Sequence, residues 1–390
     1  LFGGHRLSSW AAVCRFGGIG DNIITSAVLP GLRARYGHVE VITQRPYHVV
    51  FENNPFIDKL AVYSAGDIPG SSSDEWQNWF QVRSREYAFF ANLSHSCETL
   101  RALTKGQTQF WWPAEFRRKM CGQSYLETVA DVCGVPYETL APNFFSTDEE
   151  VERALESKRP FGERVIGWVL SGTRIDKIYP YAPMAVARLI REVGPVILMG
   201  APSQKEVVMA KMIEGHVKEQ NGSIAGLGIA MSPSMENQTW PIRRVLTLAQ
   251  QCDVLVGPDT GPMWAAAMRD VPKVMLLSHA SPENITKYWK NTVTLHADPK
   301  RVDCWSCHRL IDLPEHCRVN DGGNAAACIS DISVETVIQA VRVLFSTDVS
   351  SEHLFGSFSN ESFLEAVASL NNEKPSKTEK VLSDRMLQVV

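Results

Sequence analysis

Short apolar, β-branched runs alternate with amphipathic stretches along this chain. Residues 11–15 read as a first strand. Gly17, Gly18 and Gly20 break it with a turn, and residues 22–36 carry helical periodicity. Residues 39–43, 59–63 and 87–93 read as further strands, 66–74 as a Gly/Ser-rich loop and 125–133 as a helix. A polar stretch at 138–162 follows, with one helix expected from Thr147. The rhythm then restarts: strands at 164–170, 195–199, 253–256 and 273–277, helices at 183–193, 203–219, 242–251 and 261–269. Repeated strand–helix–strand units imply an α/β protein whose parallel sheets carry helices on their faces. After residue 345, Ser, Asn, Glu and Lys dominate. One or two surface helices or a partly disordered arm are expected there.

Length divides this pattern. At 390 residues the chain exceeds one ordinary core and fits two or three domains. The break near 140–162 supplies one boundary. Hydrophobic residues make up 44% and charged residues 21%, the balance of a globular protein. Lys and Arg total 39 against 43 Asp and Glu, a net charge of −4. Without a basic excess, a general nucleic-acid or membrane-surface binder is disfavoured, although a local basic groove stays open. No apolar run reaches the roughly 18 residues of a membrane helix. The first ten residues show no secretory leader and no initiator Met, so the chain reads as cytoplasmic and trimmed.

Three turns at strand ends carry candidate chemistry. The first, Arg15-Phe16-Gly17-Gly18-Ile19-Gly20-Asp21-Asn22, lets the backbone approach a ligand at a helix start. It is not a dinucleotide fingerprint, because Ile23 takes the third glycine position. Asp21 is either a helix cap or a carboxylate held where open α/β sheets bind ligands, fit to act as general base. The second turn, residues 171–180, sets Thr173, Arg174 and Lys177 behind Gly172, a set suited to a diphosphate or a solvated basic loop. The third, residues 256–264, brings Asp259, Thr260, Gly261, Pro262 and Met263 to a helix start, where Asp259 and Thr260 are able to cap. Three such turns would line one cleft between domains.

In this order and placement the turns resemble glycosyltransferase family 9, the heptosyltransferases. The carrying residues are Gly20-Asp21, Thr173-Arg174 to Lys177-Ile178-Tyr179-Pro180, and Asp259-Thr260-Gly261-Pro262-Met263-Trp264. A loop at Met199-Gly200-Ala201-Pro202 is also similar to one near the family's donor nucleotide. Trp264 stands where many members carry His, and Tyr179 where they often carry Trp. The resemblance spans roughly residues 11–280, by motif placement. It implies a GT-B fold of two Rossmann-like domains facing a central cleft, an acceptor domain at 1–145 and a donor-nucleotide domain at 163–345. It implies Asp21 as the base, with Gly18 and Gly20 forming its turn. Lys177 with Thr173 and Arg174 would meet the departing diphosphate. Gly200, Asp259, Thr260, Gly261, Pro262 and Met263 would contact the donor. The implied reaction is inverting transfer of a sugar, plausibly heptose, from an ADP-linked donor to a hydroxyl on a protein or glycan. No Asp-x-Asp occurs in the chain, so no catalytic divalent metal is expected and donors of the protein must meet the leaving charge. Two rivals stay open: the same fold acting on another acceptor, such as a modified nucleic-acid base, and a non-catalytic sugar-nucleotide-binding or assembly protein.

Nine cysteines remain to be placed. An odd number argues against a complete disulfide framework. Cys304, Cys307, Cys317 and Cys328 fall in a C-x2-C-x9-C-x10-C pattern inside a module at 302–330, where a C-x2-C turn and a later pair suit a closed, structural four-thiolate site. His308 and His316 are substitute ligands, and free buried thiols or a disulfide are the other readings. Zinc is the general expectation. The spacing is also similar to that of autotransporter heptosyltransferases, a branch that carries a four-cysteine iron site and assembles into rings. That places iron and a homo-oligomer among the expectations. The branch's N-terminal β domain is not expected, because this chain begins almost at its first Rossmann strand. Cys14, Cys97, Cys121, Cys133 and Cys252 read as buried, inert thiols. Trp111-Trp112 reads as a core or interdomain contact, with an acceptor platform as the alternative. The tail is placed at 346–390.

Overall fold

A computed structural model describes residues 7–68, 74–94, 108–172, 174–201, 203–230, 242–310, 325–346 and 354–373. Two parallel sheets organise them. The first holds β1 (Leu7–Cys14), β2 (His38–Gln44), β3 (Lys59–Tyr63) and β4 (Tyr87–Asn92) in the order β3-β2-β1-β4. The second holds β5 (Ile166–Val169), β6 (Val196–Met199), β7 (Leu227–Ile229), β8 (Val254–Pro258), β9 (Lys273–Leu277), β10 (Thr292–His296) and β11 (Gly356–Phe358). Its order is β11-β10-β9-β8-β5-β6-β7. The strand alternation decides which core each side chain enters. Ala11 and Val13 face the core that also takes in Leu255, Met275 and Leu277, whereas Ala12 and Cys14 face an outer aromatic cluster around Trp76 and Phe80. Val254, Val256, Val274 and Leu276 face a third cluster on the far side of the second sheet. One apolar core is therefore shared between the two sheets.

Two sequence expectations change here. The helix expected over 22–36 is two, α1 (Ile19–Ser26) and α2 (Leu29–Tyr36). Pro30 cannot continue the helix, because it lacks an N–H and its ring would meet the Ser26 carbonyl. The chain turns through shorter bonds instead, Ala27 N to Ile24 O and Val28 N to Thr25 O. The tail is also more than a surface arm. Its β11 pairs in parallel with β10, and Leu354 and Phe363 are buried in the outer core of the second sheet.

Of the contacts between the halves, two bear most directly on the site. Helix α9 (Ile242–Gln251) carries the buried Arg243, which donates to Val49 O at 2.7 Å, Phe145 O at 2.6 Å and Glu150 Oε2 at 2.7 Å. Glu150 belongs to the helix Asp148–Lys158, whose start is a reciprocal box: Thr147 Oγ1 accepts from Glu150 N and Glu150 Oε2 from Thr147 N. One side chain thus ties the first half, the connecting segment and the second half. The other contact joins α1 to α10 (Gly261–Ala267), helix start to helix start. A Cβ on Gly261 would lie 2.4 Å from Ile19 Cγ2 and 2.9 Å from Ile19 Cβ, so only glycine allows this approach.

Two measurements follow from this packing. Gly261→Ala should cost about 1–3 kcal/mol through overpacking. Adding Ile19→Ala should recover part of that loss, read from urea unfolding of the single and double variants. Lys273, on β9, is fully buried and donates to Lys290 O and Thr292 Oγ1 at 2.7 and 3.2 Å. Burial draws its amine from 10.5 down to about 7. Between those values the unfolded chain holds a proton that the folded chain lacks, so this group makes stability rise with pH across that window. Lys273→Met should flatten that rise and stabilise the protein at neutral pH, measured by denaturant titration from pH 7 to 10.

Candidate active site

The meeting of α1 and α10 brings the first and third turns together. A Cβ on Gly20 would lie 3.3 Å from Trp264 Cδ1 and 3.8 Å from Gly261 N. Asp21 sits in the first turn of α1. Its Oδ2 accepts from Gly18 N at 2.7 Å and lies 3.2 Å from the buried Arg15 guanidinium, which is itself anchored on Leu93 O. The cap reading of Asp21 is therefore met, by one oxygen. Oδ1 makes no hydrogen bond among the described residues, and the side chain is 31% exposed.

Asp259 follows β8. Its Oδ2 accepts from Lys177 Nζ at 2.8 Å and its Oδ1 from Trp264 Nε1 at 3.0 Å. Burial would raise this carboxyl, but Lys177, His279 and Trp264 together hold it below the usual carboxylate range. Neither Asp259 nor Thr260 caps α10 through its side chain, because Thr260 Oγ1 turns back to donate to Pro258 O. Trp264 is buried and braced edge-on by Trp289, with ring centroids 4.8 Å apart. Met263 is fully buried in the shared core, so its side chain packs and does not face a ligand. Pro262 stands in the first turn of α10, where no N–H is needed.

The second turn folds back on itself. Ser171 and Ile178 form an antiparallel bridge, and Gly172 N donates to Lys177 O. The Lys177 methylenes cross the face of Gly172, where a Cβ would meet Lys177 Cδ at 2.6 Å. Arg174 Nε donates to Asp176 Oδ1 at 2.8 Å, and His279 Nδ1 lies 2.7 Å from Asp176 Oδ2. Burial would raise the Asp176 carboxyl, but His279, Arg174 and Lys177 hold it well below its ordinary value. Gly200 is backed by Glu206: its carboxyl accepts from Ala201 N and Ser171 Oγ and fills the space beside the glycine. Thr173 lies outside the described residues.

Sequence reading missed Arg15, Tyr125, Asp176, Glu206 and His279. Their signal was weak, since each is an ordinary residue type whose place depends on a partner far along the chain. Tyr125 opens the helix Tyr125–Cys133 of the first half. Burial raises its phenol; Arg309 draws it down, while Asp259 and Asp21 push it up. One hydroxyl thus senses both turns. Trp111, in contrast, is 69% exposed and meets Phe110 edge-on, while Trp112 packs on Phe116.

At the cysteine module, Cys317 lies outside the described residues, as does Cys97. Cys304 and Cys307 are half-buried free thiols, and Cys328 is buried. Burial and the nearby Cys304 raise the Cys307 thiol. Among the described residues no three His, Cys, Asp or Glu side chains converge on one point. Cys14, Cys121, Cys133 and Cys252 are buried, as expected. No helix among the described residues is long and apolar enough to cross a membrane.

No curated protein sequence matches the chain. Among solved structures it is similar to a family 9 glycosyl transferase from Veillonella parvula, at 18% identity over 87% of this chain and 98% of that one, with a TM-score of 0.59. It is similar to E. coli ADP-heptose LPS heptosyltransferase II at 15% identity, over 86% and 98% of the two chains, with a TM-score of 0.56. It is also similar to the dodecameric iron-containing heptosyltransferase TibC from enterotoxigenic E. coli. There the identity is 11%, over 95% of this chain and 77% of that one, with a TM-score of 0.50. These likenesses establish the fold, an α/β architecture of parallel sheets similar to GT-B heptosyltransferases. The model of glycosyltransferase family 9 (heptosyltransferase) matches residues 113–307, half of the chain. The strand-end turns, the fold and that match agree: the chain belongs to glycosyltransferase family 9 (heptosyltransferase) and is a glycosyltransferase enzyme.

Proposed function

We propose that this enzyme transfers a heptose from an ADP-linked donor to a hydroxyl acceptor on a protein or glycan, with inversion at the sugar. The observation that carries this reading is the approach of Gly20 to Gly261, which sets Asp21 and the Lys177–Asp259 pair on either side of one seam. In this mechanism Asp21 Oδ1 takes the proton of the acceptor hydroxyl while Gly18 and Arg15 hold Oδ2. The acceptor oxygen bonds to the anomeric carbon from the face opposite the diphosphate, and the bond to the diphosphate oxygen breaks. Lys177 has three N–H donors and gives one to Asp259, so two are left for the departing charge. Arg174 gives Nε to Asp176 and keeps its terminal nitrogens. Thr173, Gly200, Thr260 and Gly261 belong to the same donor-side assignment, and no catalytic divalent metal enters it. A cytoplasmic location and a homo-oligomer go with this reading, the second supported by the fold likeness to a dodecameric protein.

The four thiols at Cys304, Cys307, Cys317 and Cys328 belong to the proposal as a structural iron or zinc site. Their chemistry supports it: soft thiolate donors with a C-x2-C turn suit either metal. Such an ion would stiffen the loop, and the transfer step does not pass through it.

Two experiments test these assignments. Asp21→Asn should lower transfer by about 10²- to 10⁴-fold and leave ADP affinity within about twofold, because Asn still offers an oxygen to Gly18 N–H. Mass spectrometry of the acceptor after incubation with ADP-heptose reads the first value and calorimetry the second; retained turnover rejects Asp21 as the base. Elemental analysis of the purified protein should find about one iron or zinc per chain, lost in Cys304→Ser. A metal-free, fully folded wild type rejects the four-thiolate site.

A further inference from the structure

The cations assigned to the donor side are each tied to a carboxylate, Lys177 to Asp259 and Arg174 to Asp176. Arg309 is different. Its Nε is buried without a hydrogen-bond partner, and its guanidinium makes no ion pair among the described residues. A buried donor lacking an acceptor is uncommon in folded proteins and asks for a missing partner. The backbone around it is also unusual. His308 and Arg309 have φ of 47° and 61°, the left-handed region that side-chain-bearing residues rarely enter.

That conformation is held from both halves of the molecule. His308 N donates to His279 O at 2.8 Å, just past β9, and Leu310 N closes the turn on Cys307 O at 2.9 Å. From the first half, Gly122 faces His308, and a Cβ there would lie in ordinary contact, 3.7 Å from Nε2. The turn begun by Cys304 and Cys307 therefore ends by fixing Arg309 next to the His308–His279 bond, and its charge bears on both Tyr125 and His279. Tyr125 is the hydroxyl that also senses Asp21 and Asp259. The turn is thereby joined to the donor-side pairs, because the same His279 lies 2.7 Å from Asp176 Oδ2, the partner of Arg174.

We propose that Arg309 is a further donor-binding residue, whose guanidinium takes the diphosphate of the nucleotide sugar. This assignment rests on the donor reading above. A diphosphate brings more negative charge than Lys177 and Arg174 offset after neutralising Asp259 and Asp176, and a guanidinium fork matches phosphate oxygens in two-point contact. The cysteine turn then bears directly on the donor, because it carries this cation.

The test uses the full chain and two probes, ADP and adenosine, titrated by calorimetry into wild type, Arg309→Gln and Arg309→Lys. Arg309→Gln should weaken ADP binding about 10- to 100-fold and leave adenosine binding unchanged. The gap should narrow as NaCl rises from about 0.05 M to about 0.5 M, because screening erases the charge term. Arg309→Lys should recover part of the loss. Wild-type affinity for ADP in Arg309→Gln at low salt overturns the assignment. So does an equal loss in both variants that salt does not change, which would mark a structural role. Wild type that binds neither probe overturns the donor reading itself, and Arg309 with it.

Discussion

Two helices begin against each other, each with a glycine at the contact. Gly20 and Gly261 let α1 and α10 approach until backbone and Ile19 fill the gap. This contact matters because the shared core lies directly behind it, with Ile23 from one helix and Met263 and Trp264 from the other. Each half supplies one wall of that core, and neither sheet buries it alone. Arg243 fixes the same relation from another side by binding three carbonyl or carboxylate partners from distant parts of the chain. The distance between Asp21 and Asp259 is therefore set by packing.

Charge is arranged with equal economy of means. Asp21, Asp259 and Asp176 each face a cation; Lys177 and Asp259 meet from far along the chain, Arg15 and Asp21 join a strand end to the next helix, and Arg174 and Asp176 share one turn. Pairing keeps Asp259 and Asp176 ionised despite burial and keeps the cations at set positions before any ligand arrives. Such pairs add little net stability, since desolvation offsets attraction. Their value is orientation, with one oxygen or a few N–H groups of each partner left over for chemistry.

Much of the site was legible because strand-end turns combine glycine with polar residues directly after apolar runs, as at Gly20-Asp21 and Gly261 beside Asp259. The apolar runs that became β1, β5 and β8 were legible for the same reason, since each stops at such a turn. What escaped was non-local. Nothing near Arg243 announces that it will meet Val49 and Glu150, and nothing near Tyr125 that two distant turns will converge on it. Pro30 did signal the break between α1 and α2, but helical periodicity ran through it. The polar composition after residue 345 masked β11, a three-residue edge strand too short for a periodic signal. Met263 stands inside the motif of Gly261 and Asp259 with its side chain buried in the shared core, a placement its position in the motif does not signal.

Trp264 gives the third turn a chemical character of its own. An indole nitrogen only donates, and it neither gains nor loses a proton near neutrality. The bond from Trp264 Nε1 to Asp259 Oδ1 therefore has one direction at every physiological pH. An imidazole in that position would change its charge, and with it the field felt by Lys177. Here the proton inventory beside the donor-side carboxylate is constant, and acidity in the medium reaches this corner only through groups farther off, His279 foremost.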